Sequence, residues 1–294
     1  MSGSTKGPGR GGTQPPVSDP AAVAALSVQT RQAVTVPAGQ RTVVVRHEPD
    51  TRAVEGHEHD ACEQLHDRML GELVLRHSAG VRVLDLGRGV PRLTSWVAER
   101  AATLEVVDAL DLGRGDTIRL PWPDASFSMV YCVRTLPHLG RDAPTSERAA
   151  ASALAEIGRV LTPGGTALVE IDNPLSLWGA AHGLRRPAKA LEPGPMCIES
   201  ARGVTRFDTL RVFVGRLPSV LRVTDVHGLR IVAPVPHLLA IPIVGRVLAR
   251  LEWAFRDRAI VSRMGGHLLV VLRHSGPNRP DPSQLVAGDG ELVG

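Results

Sequence analysis

The sequence predicts an α/β protein built on a doubly wound, mostly parallel sheet. Three observations carry that expectation. Aliphatic runs of six to nine residues recur between positions 81 and 274. They alternate with longer segments of helical period. The first of them runs straight into a glycine loop and then a helical stretch, as a strand–turn–helix unit does. Parallel neighbours need crossover connections, usually helices, and these cover both faces of the sheet.

In chain order, residues 1–20 are rich in Gly, Pro and Ser and have no apolar period, so a disordered tail without a secretory h-region is expected. Residues 21–80 form an N-terminal extension. Two β-branched runs in 33–46 flank Pro37-Ala38-Gly39 and suggest a hairpin. Residues 57–77 read as a helix with Cys62, Leu65, Met69, Leu73 and Leu75 on one stripe. The main domain spans 81–274. Its strand candidates are VRVLDL (81–86), LEVVDAL (104–110), SMVYCVRTL (128–136), TALVEI (166–171), VLRVTDVHG (220–228) and GHLLVVLRH (266–274). Helices are expected over 92–102, 147–161, 208–217 and 238–257, the last in its shorter form starting at Pro242. The 147–161 helix should stop at Thr162-Pro163-Gly164-Gly165, where Pro and Gly cannot continue it. Residues 173–207, rich in Pro and Gly, form an insertion at the carboxyl edge of the sheet, where α/β proteins recognise substrates. Residues 275–294 read as a second disordered tail.

Composition narrows the function classes. The 294 residues are 43% hydrophobic and 22% charged, ordinary globular usage. The net charge of +4 is spread along the chain without a block of like sign, which argues against a nucleic-acid tail. Cys62, Cys132 and Cys197 are odd in number and far apart, which disfavours a disulfide framework and fits a reducing cytoplasm. The greasiest stretch, 231–245, is broken by Pro234, Pro236, His237 and Pro242 and is too short to span a bilayer. A cytoplasmic location is therefore expected, with peripheral membrane contact left open by the apolar and arginine-bearing residues of 238–258. The plainer reading of that late helix is a core-facing apolar side with a basic outer face. His57, His59, Cys62 and His66 are the densest group of potential ligands, but HEHDACEQLH matches no metal spacing, and no metal is expected.

The loop Asp85-Leu86-Gly87-Arg88-Gly89-Val90-Pro91-Arg92 carries the chemistry. Gly87 permits a sharp turn, and Gly89 lets a ligand lie against bare backbone. Arg92 stands where a dinucleotide fingerprint needs Gly or Ala, and no lysine follows as in a P-loop, so a nucleoside-type ligand fits better than a pyrophosphate. Asp108 falls 23 residues after Asp85 at the end of the next strand candidate, where a carboxylate can accept both ribose hydroxyls. Asp116 opens the box GD-x₃-LPWPDASFSMVY (115–131).

With VLDLGRG (83–89), that box, LPHL (136–139) and EIGRVLTPGGTALVEID (156–172), the chain resembles the class I S-adenosylmethionine-dependent methyltransferases, in the branch acting on small molecules. The resemblance runs from about residue 81 to 274, and its most specific part is the LPWPDASF box with the later RVLTPGG turn. It implies a Rossmann-like sheet of seven strands, the last antiparallel. It implies that Asp85, Gly87 and Gly89 border the methionine and ribose of S-adenosyl-L-methionine, that Asp108 binds the ribose hydroxyls, and that Asp116 accepts from the adenine amino group with Thr117 or Ile118 beside the ring. Val133 to His138 would lie under the methionine and face the substrate, with His138 the candidate general base. Asp172 and Asn173 follow the fifth strand and read either as substrate contacts or, with Pro174, as a turn.

Three departures stand out. Pro91 and Arg88 replace the Gly and small residue usual there, Ser128 replaces an acidic residue, and only residues 109–115 separate Asp108 from Asp116. Seven residues cannot hold a full crossover helix, so the adenine pocket should be shallower. The expected activity is methyl transfer to a small, apolar acceptor, with no nucleic acid as partner. The alternative is a non-catalytic binding or scaffold protein on a degenerate methyltransferase fold.

Overall fold

In the computed structural model, residues 32–35, 42–45, 61–87, 90–109, 117–176, 195–200, 203–232, 239 and 241–276 are described. The tails and residues 57–60 of the expected first helix lie outside them.

The elements in chain order are β1 (Gln32–Thr35), β2 (Thr42–Val45), α1 (Ala61–Ser78), β3 (Arg82–Leu86), α2 (Pro91–Ala98), β4 (Thr103–Val107) and β5 (Phe127–Cys132). A 3₁₀ turn (Leu136–His138), α3 (Ala143–Val160), β6 (Leu161–Asp172), β7 (Met196–Ser200), β8 (Gly203–Phe207) and α4 (Leu210–Val214) come next. The chain continues with β9 (Leu221–Leu229), α5 (Pro242–Phe255), a second 3₁₀ turn (Ser262–Met264) and β10 (His267–His274). The sheet runs β1-β2-β4-β3-β5-β6-β10-β9, with the β7–β8 hairpin joined to β6 through β8. Pairing is parallel from β2 through β4, β3, β5 and β6, while β10 is antiparallel to both its neighbours. The expected antiparallel final strand is present.

The sheet has ten strands rather than the implied seven. The expected hairpin forms, with β1 antiparallel to β2. The sequence did not reveal where it goes: β2 pairs in parallel with β4, Val43 opposite Leu104. Among the described residues no strand lies between β4 and β5. The chain's own N-terminal strand therefore covers the β4 edge, satisfying a row of backbone groups that an open edge would expose.

The two faces follow from the strand period of two. Leu84, Leu86, Val130, Cys132, Val169 and Ile171 face α3 and its Ala150, Ala153, Leu154 and Ile157. Val83, Met129, Tyr131, Leu168 and Leu269 face the other way, onto Met69, Leu70 and Leu73 of α1 and Leu93 and Val97 of α2.

Several boundaries move for local reasons. Helix α3 begins at Ala143 rather than 147 because Asp142 caps it: Asp142 Oδ1 accepts from the Thr145 N–H at 2.8 Å, and Thr145 Oγ1 accepts from the Asp142 N–H at 3.1 Å. Helix α2 stops at Ala98 rather than 102, since the Ala102 N–H donates to Val81 O (2.9 Å) and draws the chain back to the sheet. The Pro-Gly-Gly turn is a bulge inside β6, where the register with β5 jumps from Phe127–Leu161 to Met129–Thr166 and Gly164 takes φ +77°. Strand β5 ends at Cys132 because Arg134 adopts φ +52° and turns the chain.

Helix α5 has the expected exposed arginines, Arg246 and Arg250, and packs Trp253 on the core, but it departs from the expected polarity elsewhere. Glu252 and Arg256 are buried, whereas Ile243 (77% exposed), Val244, Val247 and Leu251 face outward. Glu252 accepts from the N–H groups of Ile231 and Val232 at 3.0 and 2.8 Å, and Arg256 pairs with Glu72 and Asp257. The outer side therefore mixes apolar residues with Arg246 and Arg250.

Candidate functional site

The carboxyl edge of the parallel strands carries two adjoining regions, divided by the segment after β5. The first is the glycine turn after β3. The Gly87 N–H donates to Val107 O at 2.9 Å, which clamps the turn against the last residue of β4 and puts Asp108 beside it. A Cβ on Gly87 would sit 2.6 Å from Thr135 Oγ1 and 3.3 Å from Val133 O. Glycine is needed here for close approach, since a real Cβ does not come within 3 Å of another heavy atom. Thr135 Oγ1 in turn donates to Val133 O at 2.9 Å, so the β5 exit and the glycine turn hold each other.

Asp85 does not lie in the open. It is 3% exposed, and its Oδ2 accepts from Tyr131 Oη at 2.8 Å and Thr94 Oγ1 at 3.1 Å. Burial pushes its pKa up to about 7; the two hydroxyls pull it down and the charge of Asp108 pushes it further up. It is thus an internal strut beneath the turn, and its response to Asp108 marks the two carboxylates as neighbours. Val133 is buried and offers its carbonyl to the turn. Thr117 is exposed, whereas Ile118 points into the core and its backbone is tied to Ser152. Gly89 and Asp116, two of the expected cofactor residues, lie outside the described residues. The LPWPD box itself is held by α3: Glu156 accepts from the Leu120 N–H, and Arg159 donates to Leu120 O, Trp122 O and Asp124.

The second region is a cavity of about 160 Å³ lined by Glu63, His66, Arg134, His138, Glu170, Asp172, Arg230 and His267. Five segments supply these groups, Arg134 and His138 coming from the stretch after β5 and Arg230 from just after β9. Glu63 and His66 come from α1, Glu170 and Asp172 from the end of β6, and His267 from the start of β10, where the antiparallel register sets it opposite Asp172. Every residue lining the cavity carries a polar or charged side chain. Glu170 Oε1 lies 3.0 Å from His66 Nε2 and 3.3 Å from His267 Nδ1, and His267 Nδ1 lies 2.9 Å from Asp172 Oδ1. The two imidazoles meet edge to face with centroids 5.1 Å apart. Glu170 Oε2 also accepts from the Arg134 N–H at 3.0 Å, while the Arg134 side chain pairs with Asp67 at 2.7 Å.

The electrostatics follow from these contacts. Burial alone would raise Glu170, but His66, His267 and Arg134 together bring it down to about 2. Burial lowers the His66 pKa more than Glu170 raises it. Burial also acts to lower His267, yet Asp172 and Glu170 outweigh it and its pKa is raised. Despite the short distances, His66 Nδ1 and Nε2, Glu170 Oε1 and His267 Nδ1 lack well-aligned hydrogen bonds while buried. Such atoms normally find a partner, and here the open volume beside them is where a ligand would supply one.

His138 ends the 3₁₀ turn, exposed at the cavity mouth, with its N–H on Thr135 O at 2.9 Å. Asp172 reaches the cavity, and Asn173 makes a turn: its side chain holds the carbonyls of Arg263 and Gly265. Sequence reasoning missed Glu170, His267 and Arg230 as site residues. The signal available was Glu170 itself, a charged residue inside the aliphatic run TALVEI. Of the suspected metal cluster, His57 and His59 lie outside the described residues, Cys62 is buried, and among the described residues no three His, Cys, Asp or Glu are grouped to hold a metal.

Residues 84–169 match the family model described as a methyltransferase domain. The demethylmenaquinone methyltransferase of Deinococcus radiodurans is 35% identical over 125 residues, covering 35% of this chain and 48% of that protein. The 27-O-demethylrifamycin SV methyltransferase of Amycolatopsis mediterranei is 32% identical over 127 residues, covering 36% of this chain and 43% of that protein. The chain spans about half the length of the curated relatives it matches. Among solved structures, an S-adenosylmethionine-dependent methyltransferase from Mesorhizobium loti is similar over 75% of this chain and 100% of its own, at 18% identity and TM-score 0.43. The 1,6-didemethyltoxoflavin-N1-methyltransferase of Burkholderia thailandensis, solved with 1,6-didemethyltoxoflavin and S-adenosylhomocysteine, is similar over 77% of this chain and 83% of its own, at 16% identity and TM-score 0.43.

Proposed function

We propose, from the match of residues 84–169 to a methyltransferase domain, that this protein belongs to the class I S-adenosylmethionine-dependent family and methylates a small molecule. The observation that carries the reading is the clamp of Gly87 onto Val107, which brings Asp108 to a turn too close-packed for any side chain. A carboxylate beside bare backbone at the carboxyl end of adjoining strands suits a ribose, both of whose hydroxyls it can accept.

The residues fit the cofactor. Asp108 would hold the ribose, Gly87 with Gly89 would give the backbone room, Val133 would floor the methionine portion, and Thr117 with Asp116 would edge the adenine. Asp85 supports from beneath, through Tyr131 and Thr94. When bound, S-adenosyl-L-methionine supplies an electrophilic methyl carbon. The protein's task is to align a nucleophile with it and exclude water.

The acceptor belongs on the cavity side, across the Val133–Thr135 segment from the glycine turn. The residues lining the cavity all carry polar or charged groups, which supports an acceptor whose entering end has hydrogen-bonding groups. The outward apolar residues of α5, which links β9 to β10 at this edge, support an acceptor with an apolar body. The two curated relatives are named for methylation of a demethylmenaquinone and of a demethylrifamycin, which supports a small-molecule acceptor here as well. His138, at the mouth, would contact it.

Calorimetric titration of S-adenosylhomocysteine into the full chain tests this reading. Saturable binding that weakens about tenfold in Asp108→Ala, the loss of roughly one charged hydrogen bond, is expected. An intact fold with no heat at millimolar ligand would leave the scaffold alternative in its place.

A further inference from the structure

We propose that Asp172 and His267 form a proton-accepting dyad in the cavity, and that the acceptor it serves carries an ionisable hydroxyl on a ring or enol. The inference rests on the methyl-transfer reading for its purpose, but its geometry is independent of the cofactor side.

The imidazole of His267 is held from one edge only. Nδ1 lies 2.9 Å from Asp172 Oδ1 and 3.3 Å from Glu170 Oε1. Asp172 Oδ1 is the nearest acceptor to Nδ1, though not in hydrogen-bond alignment; a proton kept on that nitrogen by the two carboxylates leaves Nε2 to accept. His267 lines the cavity and its side chain is 26% exposed, so the ring is reachable from the open volume.

The surroundings make His267 a base rather than a buried strut. Two carboxylates face it, Glu170 and Asp172 on β6, and they stabilise the imidazolium that forms when it takes a proton. The other charged or titratable groups around it are His66 and Glu63 from α1, Arg134 and His138 after β5, and Arg230 after β9. His66 meets the ring edge to face, and burial lowers its pKa, so it competes weakly for a proton. Arg134 and Arg230 supply positive charge for an oxyanion in the same volume. Glu170 and His66 act through His267 and are positioning residues; His267 is the catalytic one.

The proton step balances within the site. The acceptor's O–H bond breaks, its electron pair stays on oxygen, and the proton forms an N–H bond at Nε2. An acceptor that arrives already ionised beside a protonated His267 reaches the same ion pair. A cavity near 160 Å³ has room for one aromatic ring, since a 150 Å³ cavity accommodates benzene. A phenol-like ring with its hydroxyl toward β10 fits that space and that chemistry.

4-Nitrophenol is a suitable probe because its visible absorption separates phenol from phenolate. Titrated into the full chain at a pH where the free probe is mostly neutral, it should bind and show the phenolate band. His267→Gln should lower the bound phenolate fraction about tenfold, and Asp172→Asn by a smaller factor, as expected for loss of one charge-assisted hydrogen bond. Histidine side-chain ¹⁵N spectra of the unmodified protein should show His267 carrying its proton on Nδ1 once deprotonated at Nε2. Probe bound as neutral phenol, no saturable binding, an unaltered phenolate band in His267→Gln, or the opposite tautomer would each overturn the dyad. S-adenosylhomocysteine titrated into the same samples separates the two readings: binding of it with a neutral probe removes the dyad alone. A phenolate band without that binding removes methyl transfer and leaves the dyad standing.

Discussion

Asp85 and Glu170 are both buried carboxylates, both at carboxyl ends of parallel strands, and both on the α1–α2 face of the same sheet, yet they are driven in opposite directions. Asp85 is pushed up to about 7 and Glu170 down to about 2. Burial is the same for both. Their partners differ: Asp85 meets two neutral hydroxyls and another carboxylate, whereas Glu170 meets two imidazoles and Arg134. Desolvation sets how strongly a buried acid responds, and the sign of the neighbouring charge sets which way. The glycine-turn side thus surrounds its buried acid with hydroxyls and another carboxylate, and the cavity side surrounds its own with imidazoles and an arginine.

The largest expected effect tests the cavity side. Glu170→Leu should cost about 3–5 kcal/mol of unfolding free energy, because it leaves the Arg134 N–H without its acceptor and removes the buried charge beside two imidazoles. Denaturant titration checks it; a loss below about 1 kcal/mol would mean that Glu170 is not paired as described.

Asp85→Asn should act in the opposite sense and depend on pH. A carboxyl whose folded pKa lies above its unfolded value holds a proton longer in the native state. Its contribution is therefore full below about pH 4 and is lost as pH rises toward 7. The shift sets a ceiling of about 4 kcal/mol, and the new amide N–H takes some of that back. Asp85→Asn should then be about 2 kcal/mol more stable than the parent at pH 8, with the gain vanishing near pH 4. Melting curves across that range decide it. Glu170 behaves in the reverse way, its stabilisation present at neutral pH and fading as pH falls through 4 toward 2.

Gly87→Ala should weaken S-adenosylhomocysteine about tenfold, or 1.4 kcal/mol, and also lower the melting temperature, since the new methyl pushes the buried Thr135 hydroxyl off Val133 O. Equal affinity in calorimetry would place the ligand away from this turn. Tyr131→Phe is the mildest: loss of one buried donor should cost about 1 kcal/mol at pH 8, where Asp85 is ionised, and less at pH 5. A pH-independent cost would show that Asp85 is not the group Tyr131 serves.

The glycine-turn side was legible in the sequence because its logic is local. Strand, glycine and helix follow one another within a dozen residues, and Asp108 ends the next strand, so Asp85, Gly87 and Asp108 could be read as one unit. The cavity side was not. His66, Glu170 and His267 are about a hundred residues apart from one to the next, and only the antiparallel pairing of β10 on β6 brings the last two together. The same limit hid the role of the N-terminal hairpin. Its strands were visible as β-branched runs, but their place at the β4 edge depends on a long-range parallel pairing. Helix α5 misled for another reason: its apolar residues have helical spacing, and periodicity cannot say which side faces inward when Glu252 and Arg256 bury themselves against backbone donors and an ion pair.

The most direct measurement is a crystal structure of the full chain with S-adenosylhomocysteine at saturating concentration. The account predicts both ribose hydroxyls on the Asp108 carboxylate, the ribose against Gly87, and the thioether sulfur turned toward the volume bounded by Glu170 and His267. Density for the ligand elsewhere, or Asp108 turned away from it, would contradict that arrangement.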